Sequence, residues 1–228
     1  MLTQMHLTPE ELYFLGKRLS GEYLDYAYLA MMRDIGQKRA MEMDQISAAL
    51  GEKGYLSETL WGEEEVPEDV RAFLAPVFSS GRQMRIQVIK DNPTPTVQTM
   101  WLHLGEAHHV VCIPVENELH LQKITEEELP GVFLAALPED FLSQTAPEAL
   151  SGEAFVWDAA MTFSYVQVGV RKDELIYYQR NHGLYEMTEA GVRSVAPWDV
   201  WERIQTVLGG EGAGILQTGK EGEEDGLS

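Results

Sequence analysis

The sequence predicts an α+β fold, with antiparallel strands around a shared sheet in a pseudo-two-fold arrangement and helices on the flanks. Three observations carry that prediction. Residues 1–80 place apolar side chains at helical spacing. From residue 82 the period changes towards two, the signature of strands with one buried face. The blocks 82–137 and 152–208 then share one order, a series of strands followed by one closing helix. A single domain over 1–208 is expected. Residues 209–228 are acidic and glycine-rich with no apolar stripe, so a disordered tail is expected there.

Thr8-Pro9-Glu10-Glu11 is a capping box with proline at the first helical position. Leu12, Leu15 and Leu19 continue that helix, and Ser20-Gly21 ends it. From Glu22 to Leu50 strong helix formers dominate, with Gly36 as the divider between two helices and Gly51 to Gly54 as the stop. Val70, Phe73, Leu74, Val77 and Phe78 form the next stripe, in which Pro76 predicts a kink or an end near Ala75. After Ser79-Ser80-Gly81, Met84 to Lys90 reads as a strand, and Asn92-Pro93-Thr94-Pro95 as a turn. Strands follow over Thr96–Leu104, His109–Val115 and Leu119–Ile124.

Thr125 to Leu137 returns to helix, its start delayed by Pro130, with Leu129, Val132, Phe133, Ala136 and Leu137 on one face. Residues 138–152 read as a connection. Ala160–Val170 and Glu174–Gln179 are strand-like, with Arg171-Lys172-Asp173 as the turn between them. Gly183–Thr188 and Val192–Val195 are two short strands. Pro197 opens the last helix, which buries Val200, Trp201, Ile204, Val207 and Leu208.

Composition narrows the function classes. With 37 acidic and 17 basic residues the formal charge is −20, which repels nucleic acid and anionic membrane. One cysteine, Cys112, excludes a disulfide framework and any multi-cysteine metal cluster, and suits a reducing cytoplasm. The opening MLTQMHLTPEEL has no basic region followed by an apolar core, so no secretion signal is expected. No apolar run approaches the ~18 residues of a membrane span.

The cluster His103-Leu-Gly-Glu106-Ala-His108-His109, with Cys112 behind it and His120 across a turn, contains zinc-ligating side-chain types. Its H-x-x-E-x-H order matches no zinc-protease signature, and Gly105 disfavours a helix there. On a strand, His109 and Val111 would share one face and Cys112 the other. The expectation is a polar hairpin tip followed by a buried strand. Cys112 lies within Val110-Val111-Cys112-Ile113, an apolar setting that makes a thiol inert. There is no G-x-S-x-G, P-loop or dinucleotide fingerprint, and Gly209 to Gly214 follows a helix instead of a strand. Of the five tryptophans, Trp61, Trp101, Trp157, Trp198 and Trp201, most should be core and one or two could anchor a partner. No catalytic, cofactor or metal residues are assigned, and the expectation is a protein without enzymatic activity.

At the level of pattern the chain resembles the EspG family, cytosolic chaperones of type VII secretion systems. The likeness lies in Leu7-Thr-Pro-Glu-Glu-Leu-Tyr-Phe-Leu-Gly16, Ile46-Ser-Ala-Ala-Leu-Gly-Glu-Lys-Gly-Tyr-Leu56 and Val70 to Val77 with Pro76. It continues in Leu121-Gln-Lys-Ile-Thr-Glu-Glu-Glu-Leu-Pro130, Leu134-Ala-Ala-Leu-Pro138, Gly183-Leu-Tyr185 and Val195-Ala-Pro-Trp-Asp199, so it spans roughly 1–208. Asn181-His182 stands where mycobacterial members carry an arginine-rich turn, and the chain is less rich in Ala and Arg, which suggests a Firmicutes-type relative. The resemblance implies a pseudo-two-fold fold that keeps a secreted helical-hairpin substrate soluble and delivers it to the secretion machinery, without cofactor or catalysis.

The physical reading is compatible: such a chaperone needs a soluble scaffold and an apolar patch for an exposed helix tip. Loops are where specificity sits, which nominates Gly105, Glu106, Ala107 and His108, together with Arg180, Asn181 and His182, as protein-binding residues. Two alternatives stand beside this. An acidic immunity-type protein could neutralise a basic toxin by charge complementarity. A metal-dependent enzyme could use His103, Glu106, His108 and His109.

Overall fold

In the computed structural model the described residues are 2–21, 24, 26–31, 40–79, 81–90, 96–136, 157–168, 170–180, 183–188 and 190–209. Gly36, the Asn92–Pro95 turn, the 138–152 connection, Asn181, His182 and the tail from residue 210 lie outside them.

The chain opens with strand β1 (Gln4–Leu7), then helices α1 (Pro9–Arg18), α2 (Tyr26–Met31) and α3 (Ala40–Glu52). A two-strand hairpin, β2 (Ser57–Glu58) and β3 (Glu64–Glu65), leads into α4 (Glu68–Phe78). Strands β4 (Arg82–Lys90), β5 (Thr96–His103), β6 (His109–Val115) and β7 (Glu118–Ile124) follow, then a 3-10 turn (Glu126–Glu128) and α5 (Leu129–Ala136). The last series is β8 (Ala159–Gln167), β9 (Val170–Arg180), β10 (Gly183–Thr188), β11 (Gly191–Ser194) and α6 (Pro197–Gly209). The fold is α+β, built on a nine-stranded sheet ordered β1-β7-β6-β5-β4-β8-β9-β10-β11, in which every neighbouring pair is antiparallel. None of the described helices is long and apolar enough to cross a membrane.

Strand alternation sends the inner residues to two cores. On one face Met84, Ile86, Leu102, Val111, Met161, Phe163 and Tyr177 pack under α5 and α6, through Leu129, Phe133, Val200, Trp201, Ile204 and Val207. On the other, Trp101, Val110, Cys112, Leu119 and Leu121 pack under α1 to α4, through Leu12, Leu15, Tyr28, Leu50, Phe73, Leu74 and Val77. Val111 and Cys112 therefore face opposite cores, as strand geometry requires.

The capping box of α1 forms as read: Glu11 N–H donates to Thr8 Oγ1 at 3.2 Å and Thr8 N–H to Glu11 Oε2 at 2.7 Å. Lys53 adds a third role to that carboxylate, donating to Glu11 Oε2 at 2.8 Å and to the His6 carbonyl at 3.2 Å. One buried glutamate thus ties the end of α3 to α1, and the same lysine reaches β1.

Three local readings change. The N-terminal residues are a strand: β1 pairs with β7 and buries Met5 and Leu7. Helix α4 runs through Pro76 to Phe78, because Val77 and Phe78 remain buried and hold the last turn in place. The proline leaves only the Ala72 carbonyl without its helical N–H. Arg171-Lys172-Asp173 is not a turn but part of β9: Val166 pairs with Arg171 and Tyr165 with Asp173, leaving Lys172 as the extra residue of a bulge. The reversal falls two residues earlier, where Gln167 pairs with Val170. Val168 there adopts a left-handed φ of 47°.

That φ is unfavourable for a β-branched residue. V168N would place Asn before Gly169, the pair preferred in two-residue hairpins, and should raise unfolding free energy by about 1 kcal/mol in urea titration. Trp201, 9% exposed and 5.4 Å from the Phe133 ring centroid, should cost about 3–5 kcal/mol in the same assay when replaced by alanine.

Candidate functional site

The three consecutive-block histidines do not converge. His103, on β5, is buried and pairs through Nε2 with the Tyr28 hydroxyl at 2.6 Å. His108 is buried under α4, where its Nε2–H donates to the Phe73 carbonyl at 3.3 Å. His109 points to the opposite core: its Nδ1 accepts from Gly105 N–H at 3.3 Å, so its Nε2–H donates to Glu126 Oε2 at 2.7 Å. Glu106 is exposed in the loop. Each imidazole is a structural pin with its own partner. Cys112 is fully buried, and that burial pushes its thiol up to about 12, too high for a thiolate nucleophile.

What these pins hold is the loop Leu104–His108 between β5 and β6. Leu104 N–H donates to the Arg82 carbonyl at 2.9 Å, extending the ladder by one residue. Gly105 is required there: a Cβ would sit 2.5 Å from the His108 carbonyl oxygen and 2.7 Å from Pro76 Cγ. The loop thereby closes against the C-terminal half of α4. Between them is an open groove of about 670 Å³, with Ala72, Ala75 and Pro76 on the helix side, Gly105 to His108 on the loop side, and Arg82 and Lys123 among its lining residues. Small apolar residues let a partner's backbone approach closely, and the two cations are notable in a chain of charge −20.

Arg180, the described member of the second nominated group, is elsewhere. Arg180 is half-buried at the end of β9, and pairs with Gly183 at the turn beside Ala159 and Lys90. Gly105 to His108 lies at the Arg82 end of the same central strands. The length of β4, nine residues or about 30 Å, separates the two ends. The structure does not bring Arg180 to the Gly105–His108 loop, and Asn181 and His182 lie outside the described residues.

A feature that sequence reading left unresolved is the β2–β3 turn. Thr59 N–H donates to the Glu63 carbonyl at 2.8 Å, Gly62 N–H to the Thr59 carbonyl at 3.0 Å, and Thr59 Oγ1 accepts from Trp61 and Glu63 N–H at 3.3 and 3.1 Å. Gly62 supplies the φ of 75° that closes the turn. At its base Glu64 accepts from Arg18 and Ser47, fixing the hairpin to α1 and α3. This ordered turn presents Leu60 at 101% and Trp61 at 88% exposure. Trp101 and Trp201 are core, while Trp198 is exposed at the start of α6. The Thr59–Gly62 turn signal was visible, but only the pairing of Ser57 with Glu65 makes it a tip.

His108 makes the groove sensitive to acid. Burial lowers its pKa below 6.5, outweighing the hydrogen bond to Phe73 that acts the other way. The unfolded chain therefore binds a proton first, so stability present above about pH 6.5 is lost as pH falls through the folded-state pKa. H108Q keeps a donor for the Phe73 carbonyl without the charge. The melting temperature should fall less between pH 7.5 and 5.5 in H108Q than in the parent, and equal falls would place the acid sensitivity elsewhere. No protein-family model matches the chain, and no curated protein is significantly similar to it.

Proposed function

We propose that the chain is a non-enzymatic, cytoplasmic chaperone or adaptor of the type VII secretion kind, which binds a secreted helical-hairpin protein and hands it to the secretion machinery. The observation that carries this reading is the Leu60–Trp61 tip: two adjacent bulky apolar side chains, almost wholly in water, on a turn fixed by four hydrogen bonds. Such a tip is preorganised, so covering it on a partner costs little ordering entropy, and tryptophan is the side chain most often dominant in protein interfaces. The α4–loop groove, floored by Ala72, Ala75 and Pro76, would take a helix end of the same partner.

The proposed fold relation to the resembling family is a pseudo-two-fold axis through the β4–β8 pair. Strands β4–β7 and β8–β11 are consecutive four-strand meanders that start side by side and run antiparallel. Each is followed by a helix, and α5 and α6 meet on one face through Phe133 and Trp201. A two-fold normal to the sheet relates these halves; an in-plane axis would put the helices on opposite faces.

The charge of −20 favours the other reading, an immunity-type inhibitor of a basic toxin, and salt separates the two. The test is co-expression with helical-hairpin proteins encoded beside this chain, followed by co-purification in low salt and in about 0.5 M salt, where the Debye length is about 4 Å. The expected result is a one-to-one complex that survives high salt, is weakened by at least about 30-fold in W61A, and is weakened also in G105A. Trp61 is exposed, so W61A should melt with the parent. Failure of every helical partner, with capture of a basic toxin domain that is lost in salt, would overturn the chaperone reading.

A further inference from the structure

On the face of the sheet that carries α5 and α6, the outer strands present a different set of side chains. His6 on β1 pairs across the ladder with His120 on β7, and Ile113 on β6 pairs with His120 from the other side. Glu118 stands two residues before His120 and so on the same face of β7. The His6 and His120 rings stack at 4.1 Å with 6° between their planes, and Glu118 Oε2 lies 3.7 Å from His120 Nε2. One donor atom from each of the three residues falls within 4.8 Å of the others. His6 and His120 also line a shallow cavity of about 210 Å³ walled by Val111, Ile113 and Val115.

We propose that His6, Glu118 and His120 form a site for a divalent transition-metal ion of the zinc class. Two imidazoles and one carboxylate are a recurrent donor set for zinc, and leave a fourth position for water. Two imidazoles select against magnesium and calcium, which take oxygen ligands. Bond lengths of about 2.0–2.2 Å require the donors to draw together from 4.8 Å by rotation of their side chains. His6 is exposed and the other two are half-buried, so that rotation is open to them. The apolar wall limits solvent at one side of the ion, which strengthens its bonds.

The position gives the ion a consequence. β1 is an edge strand of four residues, joined to the sheet only through β7. A metal held by His6 and His120 would clip that edge to its neighbour, at a place separate from the groove and from the buried His103, His108 and His109.

The test uses the full chain, stripped with EDTA and titrated with zinc ion alone in a calorimeter. One-to-one binding is expected, weakened by more than about tenfold in H6Q and in H120Q and less in E118Q, with no competition from millimolar-range calcium. Zinc should raise the melting temperature of the parent but not of H6Q. In the unsubstituted chain, zinc should also protect His6 and His120 from carbethoxylation, a readout independent of the variants' folding. Binding that is unchanged in both histidine variants, or that calcium displaces, would assign the ion to the acidic surface and overturn the site. Absence of protection would do the same.

Discussion

The pairing of β4 with β8 is the constraint on which the rest of the structure depends. It runs without interruption from Arg82–Gln167 to Lys90–Ala159, and it is the one ladder that joins the two strand series. The partners are far apart in sequence, so their contact carries a large loop-closure entropy. What offsets that cost is apolar burial on both sides of the joint: Met84, Ile86, Met161 and Phe163 on the face under α5 and α6, and Ala160 and Val166 on the other. Once this pair is set, each remaining strand adds by a hairpin, except β1, and the order of the sheet follows from connectivity alone.

Covering that sheet divides the labour between the chain's halves. The N-terminal helices cover β5, β6, β7 and β1, while α5 and α6 cover the centre of the opposite face. Polar side chains inside these layers act as fasteners. Glu11 joins a cap, Lys53 and the entry of α1; Glu186 accepts from Arg193 and Arg203 and so ties β10 to β11 and α6. Burial alone would raise the Glu186 pKa, but the hydrogen bonds from Arg203 and Arg193 outweigh it and keep the carboxylate ionised. The same logic explains the histidine-rich hairpin. A cluster that looks chemical in one dimension is taken apart by strand alternation, because His103 and His109 belong to opposite faces.

Much of the fold was legible because it is written in local periods. The α1 capping box, the stripe of α4, the breaks before β6 and β10 and the buried face of α6 are all short-range signals. What escaped was decided by partners distant in sequence. Four residues of β1 are too few to show a period, and only their ladder with β7 makes them a strand. Arg171-Lys172-Asp173 has turn composition, yet the registers on either side force a bulge there and push the reversal onto Val168. Among candidate site residues, Gly105 and His108 were nominated as loop residues, and their packing on α4 gives them a shared role. Glu118 and His120 were visible as an i, i+2 pair, but His6 could join them only through β1.

The edges of the sheet sharpen the meaning of the exposed Leu60–Trp61 tip. A long antiparallel sheet invites pairing with other chains at its ends. Here both end strands, β1 and β11, are only four residues long, whereas the central β4, β8 and β9 run to nine and eleven. Arg193 on β11 is held in an ion pair with Glu186, placing charge at that border. A surface of net charge −20 adds long-range repulsion between copies. Against self-association the molecule is thus guarded by strand length and by charge. Leu60 and Trp61 stand outside that guard, on a turn whose hydrogen bonds hold them in water instead of folding them inward. In the proposed chaperone reading, that exposure is what a partner's apolar surface would cover. Glu64 at the base of the turn is already paired with Arg18, so in that proposal the exposed Glu58 and Glu63 are the charges that would favour basic side chains at the rim of the partner's pocket.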